Sequence, residues 1–116
     1  DNAGTIIQSG AKLDFFQGTP TLNNSGLYEV TFTGNGDIFG NFSNAEAFNN
    51  SGTFRRNGPQ NASTGDIVFN NAASGVIEVV SGLLQLDAFG TMAGGVFLVS
   101  PGRTPNRRSG TTPART

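Results

Sequence analysis

The chain has 116 residues, 17 of them glycine and 10 phenylalanine, and only 13% are charged, so it offers one turn-rich domain and is too short for two separate cores. It contains no cysteine and no histidine, which excludes disulfides, thiolate nucleophiles, imidazole bases and the usual zinc ligands. All eight acidic residues lie within 1–100 and four of the seven basic residues within 101–116. An acidic body that repels phosphates is unsuited to broad nucleic-acid binding.

A short motif recurs along the chain, in which small polar residues precede a glycine and a run of β-favouring residues follows it. The runs cover residues 3–7, 25–30, 51–55, 74–79 and 94–99, and their glycines are Gly4, Gly26, Gly52, Gly75 and Gly95. These glycines are 22, 26, 23 and 20 residues apart. A period of this length is typical of one coil of a β-solenoid, in which each coil buries its apolar face only against its neighbours.

The second residue after each motif glycine is large and apolar or aromatic in every repeat. These residues are Ile6, Tyr28, Phe54, Ile77 and Phe97. Because side chains alternate between the two faces of a strand, this pattern predicts one buried column.

The fourth position after the glycine is less regular. It is valine in three repeats, but it is Gln8 in the first and Arg56 in the third. The sequence Asn57-Gly58-Pro59 directly after Arg56 is a strong turn signal. We therefore expect that strand to end early, before the turn.

The third position predicts a structural charge ladder. In the three middle repeats it is Glu29, Arg55 and Glu78, so the sign alternates on the outer face. With strands about 4.8 Å apart, each contact between neighbours contributes roughly 0.2–1 kcal/mol at an exposed position.

A second strand is predicted after a second glycine in most repeats. The segments are 11–15, 37–39, 66–69 and 83–86, after Gly10, Gly36, Gly65 and Gly82. The gap between the paired glycines is 6, 10, 13 and 7 residues, which predicts loop insertions at 33–35 and 58–64 on one side of the stack. A ligand is expected on that side.

An Asn-Asn pair precedes three of the motif glycines, at residues 23–24, 49–50 and 70–71. Asparagine tolerates a left-handed backbone at corners, and stacked side-chain amides can hydrogen-bond from coil to coil. We therefore interpret these pairs as structural corners.

Two aspartates and three phenylalanines lie outside the main pattern of the repeats. Asp37 and Asp66 follow their glycines in the same way, so they either stabilise turns or form a weak calcium site between coils. Phe16, Phe42 and Phe89 fall outside the inward columns, and we expect them to be partly exposed interface residues.

Two phrases resemble a known class of repeats: FNNSGTF at residues 48–54 and FNNAASGVIEVVSGLLQL at residues 69–86. They resemble repeats of autotransporter-like and filamentous-haemagglutinin-like β-helix adhesins on bacterial surfaces, over roughly residues 1–100. The resemblance implies a right-handed parallel β-helix, secretion to the cell surface and an adhesive or structural role. The chain departs from those repeats in its small number of coils and its basic end.

The fold predicted from these patterns is all-β, a single-stranded parallel β-helix of about five short coils at residues 1–100 with a non-repetitive tail at 101–116. We expect an extracellular structural or adhesive module that stacks end to end into a filament, because open solenoid ends expose unpaired backbone. The tail arginines are predicted to contact the acidic body of the same or a neighbouring copy. They are Arg103, Arg107, Arg108 and Arg115.

No enzymatic activity, cofactor, nucleic-acid partner or membrane insertion is expected. The alternative function is a carbohydrate-binding or polysaccharide-cleaving β-helix, with a surface glycan as partner. That alternative calls for a carboxylate-lined groove beside the loop insertions.

Overall fold

The computed structural model describes residues 1–10, 12–14, 20–33, 36–40, 46–65 and 67–86 in full, and the backbone of residues 89–92, 96–99 and 105–107. This part of the chain is all-β, without helix, and its strands pair in parallel. Its strands are β1 (Thr5–Gln8), β2 (Leu13–Asp14), β3 (Thr21–Asn24), β4 (Leu27–Val30), β5 (Gly36–Asp37), β6 (Phe39–Gly40), β7 (Ala47–Asn50), β8 (Thr53–Ser63), β9 (Val68–Asn71), β10 (Val76–Leu86), β11 (Phe89–Met92), β12 (Val96–Val99) and β13 (Pro105–Arg107). Within the described ranges there is no helix of the length and apolarity needed to cross a membrane.

The largest sheet follows the motif glycines. Its main path is β1-β4-β8-β10-β12, with β5 paired to β8 and β13 paired to β10. The residues that come directly after the five motif glycines stand side by side across this path: Thr5, Leu27, Thr53, Val76 and Val96. The register predicted from the glycine spacing is therefore confirmed.

The Phe-Asn-Asn segments are strands of a second sheet, with the order β11-β9-β7-β3. Phe48 and Phe69 pair across it and are buried, the next residues face outward, and Asn50 and Asn71 are buried again. The interpretation of the asparagine pairs as corners was wrong, because the segments alternate between two faces as extended strands do.

The extra residues of the third repeat are accommodated within a strand. β8 continues from Thr53 to Ser63, so most of the loop predicted at 58–64 is strand. The register shifts twice between Val79 and Leu83 of the neighbouring β10, which absorbs the difference in length as a bulge. The other insertion was predicted at residues 33–35, and residues 34 and 35 lie outside the described residues.

The predicted second strands are found in three different places. β2 and β6 form a separate pair in which Leu13 aligns with Phe39. The segment predicted at 66–69 contributes to β9 of the second sheet, and the segment at 83–86 is the end of the long strand β10.

Aromatic rings from the two larger sheets form the centre of the core. Tyr28 stacks on Phe54 with ring centres 5.7 Å apart, and Phe48 stacks on Phe69 at 5.1 Å. Rings across the two sheets meet edge to face, at 5.0 Å for Phe54 and Phe69. Such pairs contribute about 0.5–1.5 kcal/mol each beyond the area they bury. Of the predicted column, Tyr28, Phe54 and Ile77 are buried as expected, and Ile6 is only partly buried. The side chain of Phe97 lies outside the described residues.

Arg56 faces into the same interior and is 0% exposed. Its guanidinium donates hydrogen bonds to the carbonyl oxygens of Val30 (3.3 Å), Phe32 (2.9 Å) and Gln60 (2.8 Å). It also lies 4.8 Å from the centre of the Phe32 ring. The expectation of a strand that ends before residue 57 was wrong, because the backbone carbonyls and the ring replace the solvation that a buried cation loses.

Gln8 fills the corresponding position of the first repeat in a similar way. It is largely buried, accepts a hydrogen bond from the hydroxyl of Tyr28 (2.6 Å) and donates one to the carbonyl of Ile38 (2.8 Å). Both polar exceptions in the inward column therefore make hydrogen bonds inside the fold, while Nε of Arg56 is buried without a partner among the described residues.

Three of the motif glycines, Gly26, Gly52 and Gly75, lie where a side chain has no space. A Cβ on Gly52 would fall on the carbonyl oxygen of Gly26, the motif glycine of the preceding repeat. Gly82 differs, because its φ of 78° lies in the left-handed region, where a side chain also adds strain.

Candidate functional site

The outer face of the large sheet carries the predicted charge ladder. Strands β4, β8 and β10 place Arg55 between Glu29 and Glu78, with N–O distances of 3.4 Å and 2.6 Å. The hydrogen bond to Glu78 raises the pKa of Arg55 above its ordinary value. The side chains are partly exposed, so this row aligns neighbouring strands and adds little stability.

The inner asparagines form a hydrogen-bonded row beneath the surface. Asn2 donates from Nδ2 to Oδ1 of Asn24 (2.8 Å), Asn24 to Asn50 (2.9 Å), and Asn50 to Asn71 (2.8 Å). Asn50 also donates to the carbonyls of the adjoining turn and strand. This inner amide row has its donors committed to the fold, as predicted for stacked amides.

A second row of asparagines lies on the outside of the same sheet. Asn49 donates from Nδ2 to Oδ1 of Asn23 (2.9 Å), and Asn70 donates to Asn49 (2.8 Å). Asn23 donates in turn to the carboxylate of Asp1 (2.8 Å). This outer amide row runs in the opposite sense to the inner one, since each amide donates toward the start of the chain.

A groove of about 310 Å³ follows the outer amide row. It is lined by Asn23, Asn49, Asn50, Ser51, Asn70, Asn71 and Ala72. Its volume is at the lower end of the range for small-ligand sites. The lining has no charged residue, and the surface that its asparagines, serine and alanine present to the groove is mostly apolar.

One wall of this groove comes from a two-residue insertion. The corner after Asn50 is Ser51-Gly52, whereas the corner after Asn71 is lengthened by Ala72 and Ala73. Ala72 donates to the carbonyl of Asn50 (2.9 Å) and accepts from the N–H of Gly75 (2.9 Å), which closes a local turn. Ala72 and Ala73 are both exposed on this turn.

The open edge of β1 is a second candidate binding surface. Among the described strands, β1 pairs only with β4. The carbonyls of Gly4 and Gln8 accept hydrogen bonds from β4 and the residue after it, so by alternation the backbone groups of Thr5 and Ile7 point to the open side. The side chain of Ile7 is 59% exposed.

The remaining predicted residues are only partly described. Pro105–Arg107 pairs with Leu84–Leu86, so this piece of the predicted tail is a strand of the large sheet. The side chain of Arg107 and the residues Arg103, Arg108 and Arg115 lie outside the described residues. The same holds for Asp66, Phe16, Phe42 and the side chain of Phe89. Within the described ranges no three acidic, histidine or cysteine residues are grouped as a metal site.

Comparison with protein-family models, curated proteins and solved structures gave no match. The candidate site therefore depends on its own geometry. Sequence reasoning treated the groove asparagines as corner residues and missed the groove. The signal available for it was the alternation within Phe-Asn-Asn, which places the first asparagine of each pair outward.

Proposed function

We propose that the chain is a parallel β-solenoid that serves as a structural and adhesive module at the cell surface and assembles end to end. The observation that carries this proposal is the register of the large sheet, in which the residues that follow the motif glycines align across five strands. Two continuous amide rows along the second sheet support the same arrangement. A stack of this kind is extended by adding further strands in the same register.

In the proposed assembly, the open edge of β1 is the surface that contacts a second copy. Its unpaired backbone groups and the exposed Ile7 are features that natural sheets normally protect. In the proposed junction, β12 of a second copy pairs with β1 in parallel. The register then aligns Phe97 with Ile6 and Leu98 with Ile7, so that apolar residue types meet at the junction.

The basic end of the chain has a supporting role in this proposal. Arg103, Arg107, Arg108 and Arg115 are proposed to contact the acidic body of a neighbouring copy. Because β13 pairs with β10, removal of residues 101–116 also removes a strand. Deletion of residues 108–116 is the cleaner variant, since it leaves β13 in place.

Electron microscopy and light scattering of the purified protein test the assembly. The parent chain is expected to form filaments or elongated oligomers, and Ile7→Lys is expected to reduce it to monomers, because a charge on the edge strand opposes pairing. Thr53→Lys is the matched control, since it adds the same charge to the outer face of the central strand β8. A monomeric parent chain, or equal assembly in the two variants, contradicts end-to-end stacking through β1.

A specific observation favours glycan binding as the adhesive activity, namely the uncharged groove beside the outer amide row. The alternative drawn from sequence called for a carboxylate-lined groove beside the loop insertions. The described groove lies elsewhere and is lined by no carboxylate, so we propose binding of a glycan and not its cleavage.

A further inference from the structure

The dipeptide Asn57-Gly58 lies at the bulge of the large sheet. Strand β8 pairs with β4 only as far as Arg56. On its other side, the ladder with β10 shifts register both before and after the pair of Asn57 with Ser81. Residues 58–60 have no aligned partner among the described strands. Because a bulge leaves such residues outside the ladder, this segment opens more easily than the rest of β8.

The fold requires glycine at position 58. A Cβ there would come within 2.7 Å of Cζ and Nη1 of Arg56 and of the carbonyl oxygen of Phe32. Nη1 of Arg56 donates a hydrogen bond of 2.9 Å to that same carbonyl, so neither group can move away without loss of a buried bond. The burial of Arg56 therefore keeps a residue without a side chain directly after Asn57.

An asparagine that precedes glycine is exposed to attack by its own backbone, because no Cβ shields the next backbone nitrogen. The nitrogen of Gly58 loses its proton to solvent and forms a bond to Cγ of Asn57. The bond from Cγ to Nδ2 breaks, and ammonia leaves with a proton taken from solvent. Water then opens the cyclic succinimide at either of its carbonyls, which leaves an aspartate or an isoaspartate. The net reaction consumes one water and releases one ammonia.

The side chain of Asn57 is exposed and is held by long hydrogen bonds. Its Nδ2 donates to Oε2 of Glu29 at 3.4 Å, and its Oδ1 accepts from Oγ of Ser81 at 3.3 Å. Both bonds are longer than the usual length of about 2.9 Å and are correspondingly weak. Water therefore reaches the amide, and the amide leaves these two partners at little cost.

From these observations we infer that Asn57 is a site of spontaneous deamidation, at which the folded chain converts an amide to a carboxylate through local opening of the bulge. The inference does not depend on the proposed function. Its product changes the charge ladder, because the new carboxylate lies beside Glu29, which pairs with Arg55 at 3.4 Å. Repulsion between two carboxylates then replaces the hydrogen bond from Nδ2. The modification is expected to weaken the contact between β4 and β8.

The test is incubation of the full folded chain in heavy-oxygen water at mildly alkaline pH, followed by proteolysis and mass spectrometry. We expect one solvent oxygen to be incorporated at position 57, with isoaspartate formed beside aspartate. Asn61 is the matched internal control, because it is exposed on the same strand but precedes Ala62, whose Cβ hinders the attack. Asn61 is expected to stay intact over the same period, and Asn57→Gln is expected to abolish the incorporation.

Two results would overturn the inference. The first is an intact Asn57 in the folded chain over a period in which the urea-unfolded chain converts it, since the fold would then protect this amide. The second is equal conversion of Asn57 and Asn61, since Gly58 would then not determine the site.

The consequence for the ladder has its own measurement. Asn57→Asp is expected to shift the urea midpoint downward relative to the uncharged variant Asn57→Gln, and the difference should shrink in high salt. Equal midpoints for the two variants would reject the effect on the ladder.

Discussion

Asn24 and Asn50 stand 26 residues apart in the sequence, yet Nδ2 of Asn24 donates a 2.9 Å hydrogen bond to Oδ1 of Asn50. Each of these buried amides is at once a donor to one neighbour and an acceptor from another. A row of this kind fixes strand register, because a shift by one residue would exchange the buried amide for the outward one. The register of the parallel strands is therefore specified by polar pairing as well as by aromatic packing.

The two amide rows differ in what their loss costs. Asn50→Ala is expected to lower the free energy of unfolding by about 2–4 kcal/mol, because Nδ2 of Asn24 and Oδ1 of Asn71 each lose one buried hydrogen-bond partner and Asn50 loses its own bonds. Asn49→Ala, on the partly exposed row, is expected to cost less than about 1 kcal/mol, since water replaces the lost partner. Urea unfolding at one protein concentration measures both. Equal costs would contradict the assignment of Asn50 to a buried structural row.

Arg56 and Arg55 are adjacent in sequence and face opposite sides of β8. Arg56→Met is expected to cost about 2–4 kcal/mol, because three carbonyls lose a buried donor that methionine cannot replace. Arg55→Met is expected to cost about 1 kcal/mol or less, since its ion pairs are partly exposed. The same denaturation experiment compares the two. If the Arg56→Met chain is as stable as the parent, the free energy needed to desolvate the guanidinium equals the stabilisation from its hydrogen bonds, which contradicts this prediction.

Burial of Tyr28 makes the free energy of unfolding depend on pH in the alkaline range. Burial raises the pKa of its hydroxyl well above the ordinary value of 10.0, so the folded state keeps the proton while the unfolded state loses it. The stabilising contribution is complete below about pH 10 and then falls by about 1.4 kcal/mol per pH unit, until the folded state also titrates.

Tyr28 is the only tyrosine of the chain, so this effect can be isolated. Tyr28→Phe is expected to remove most of the loss of stability between pH 9 and 11, although it also removes the hydrogen bond to Gln8 at all pH values. Denaturation midpoints across this pH range, with the tyrosinate absorption of the native chain, provide the measurement. Titration of native Tyr28 near its ordinary pKa would contradict its burial.

The charge ladder predicts compensation between neighbours. Arg55→Glu places three carboxylates in one row and is expected to destabilise the chain by about 1–2 kcal/mol. Adding Glu29→Lys and Glu78→Lys restores alternation with the signs exchanged, and most of the loss should return. Both effects should shrink in high salt, because the side chains are partly exposed. Additive losses in the triple variant would show that the three side chains are not coupled.

The sequence carried much of the information about the large sheet. The spacing of Gly4, Gly26, Gly52, Gly75 and Gly95 was sufficient to predict which strands align. The period-2 alternation predicted the buried residues Tyr28, Phe54 and Ile77, and the outer charge row followed from the same count. These features are local, because alternation and glycine spacing are properties of a few neighbouring residues.

The asparagine groove was not predicted, for a physical reason. The residues Asn49-Asn50 read equally well as a corner or as the end of a strand, because asparagine is compatible with both when only the local sequence is known. Pairing in the second sheet makes these residues the end of a strand, in which one amide faces outward and the next faces inward. The lining also includes Ala72, which lies on a turn two residues longer than the corresponding turn after Asn50.

By itself the sequence determined the repeat, the register of the large sheet and the identity of its buried column, because these depend on spacing and alternation along the chain. Only the tertiary structure decided that the side chain of Arg56 is buried and in which direction the hydrogen bonds of the amide rows run. A cation is tolerated in the interior when carbonyls from other strands surround it, and an amide takes its orientation from the amides above and below it. Both depend on groups that are far apart in sequence and adjacent only once the strands have paired.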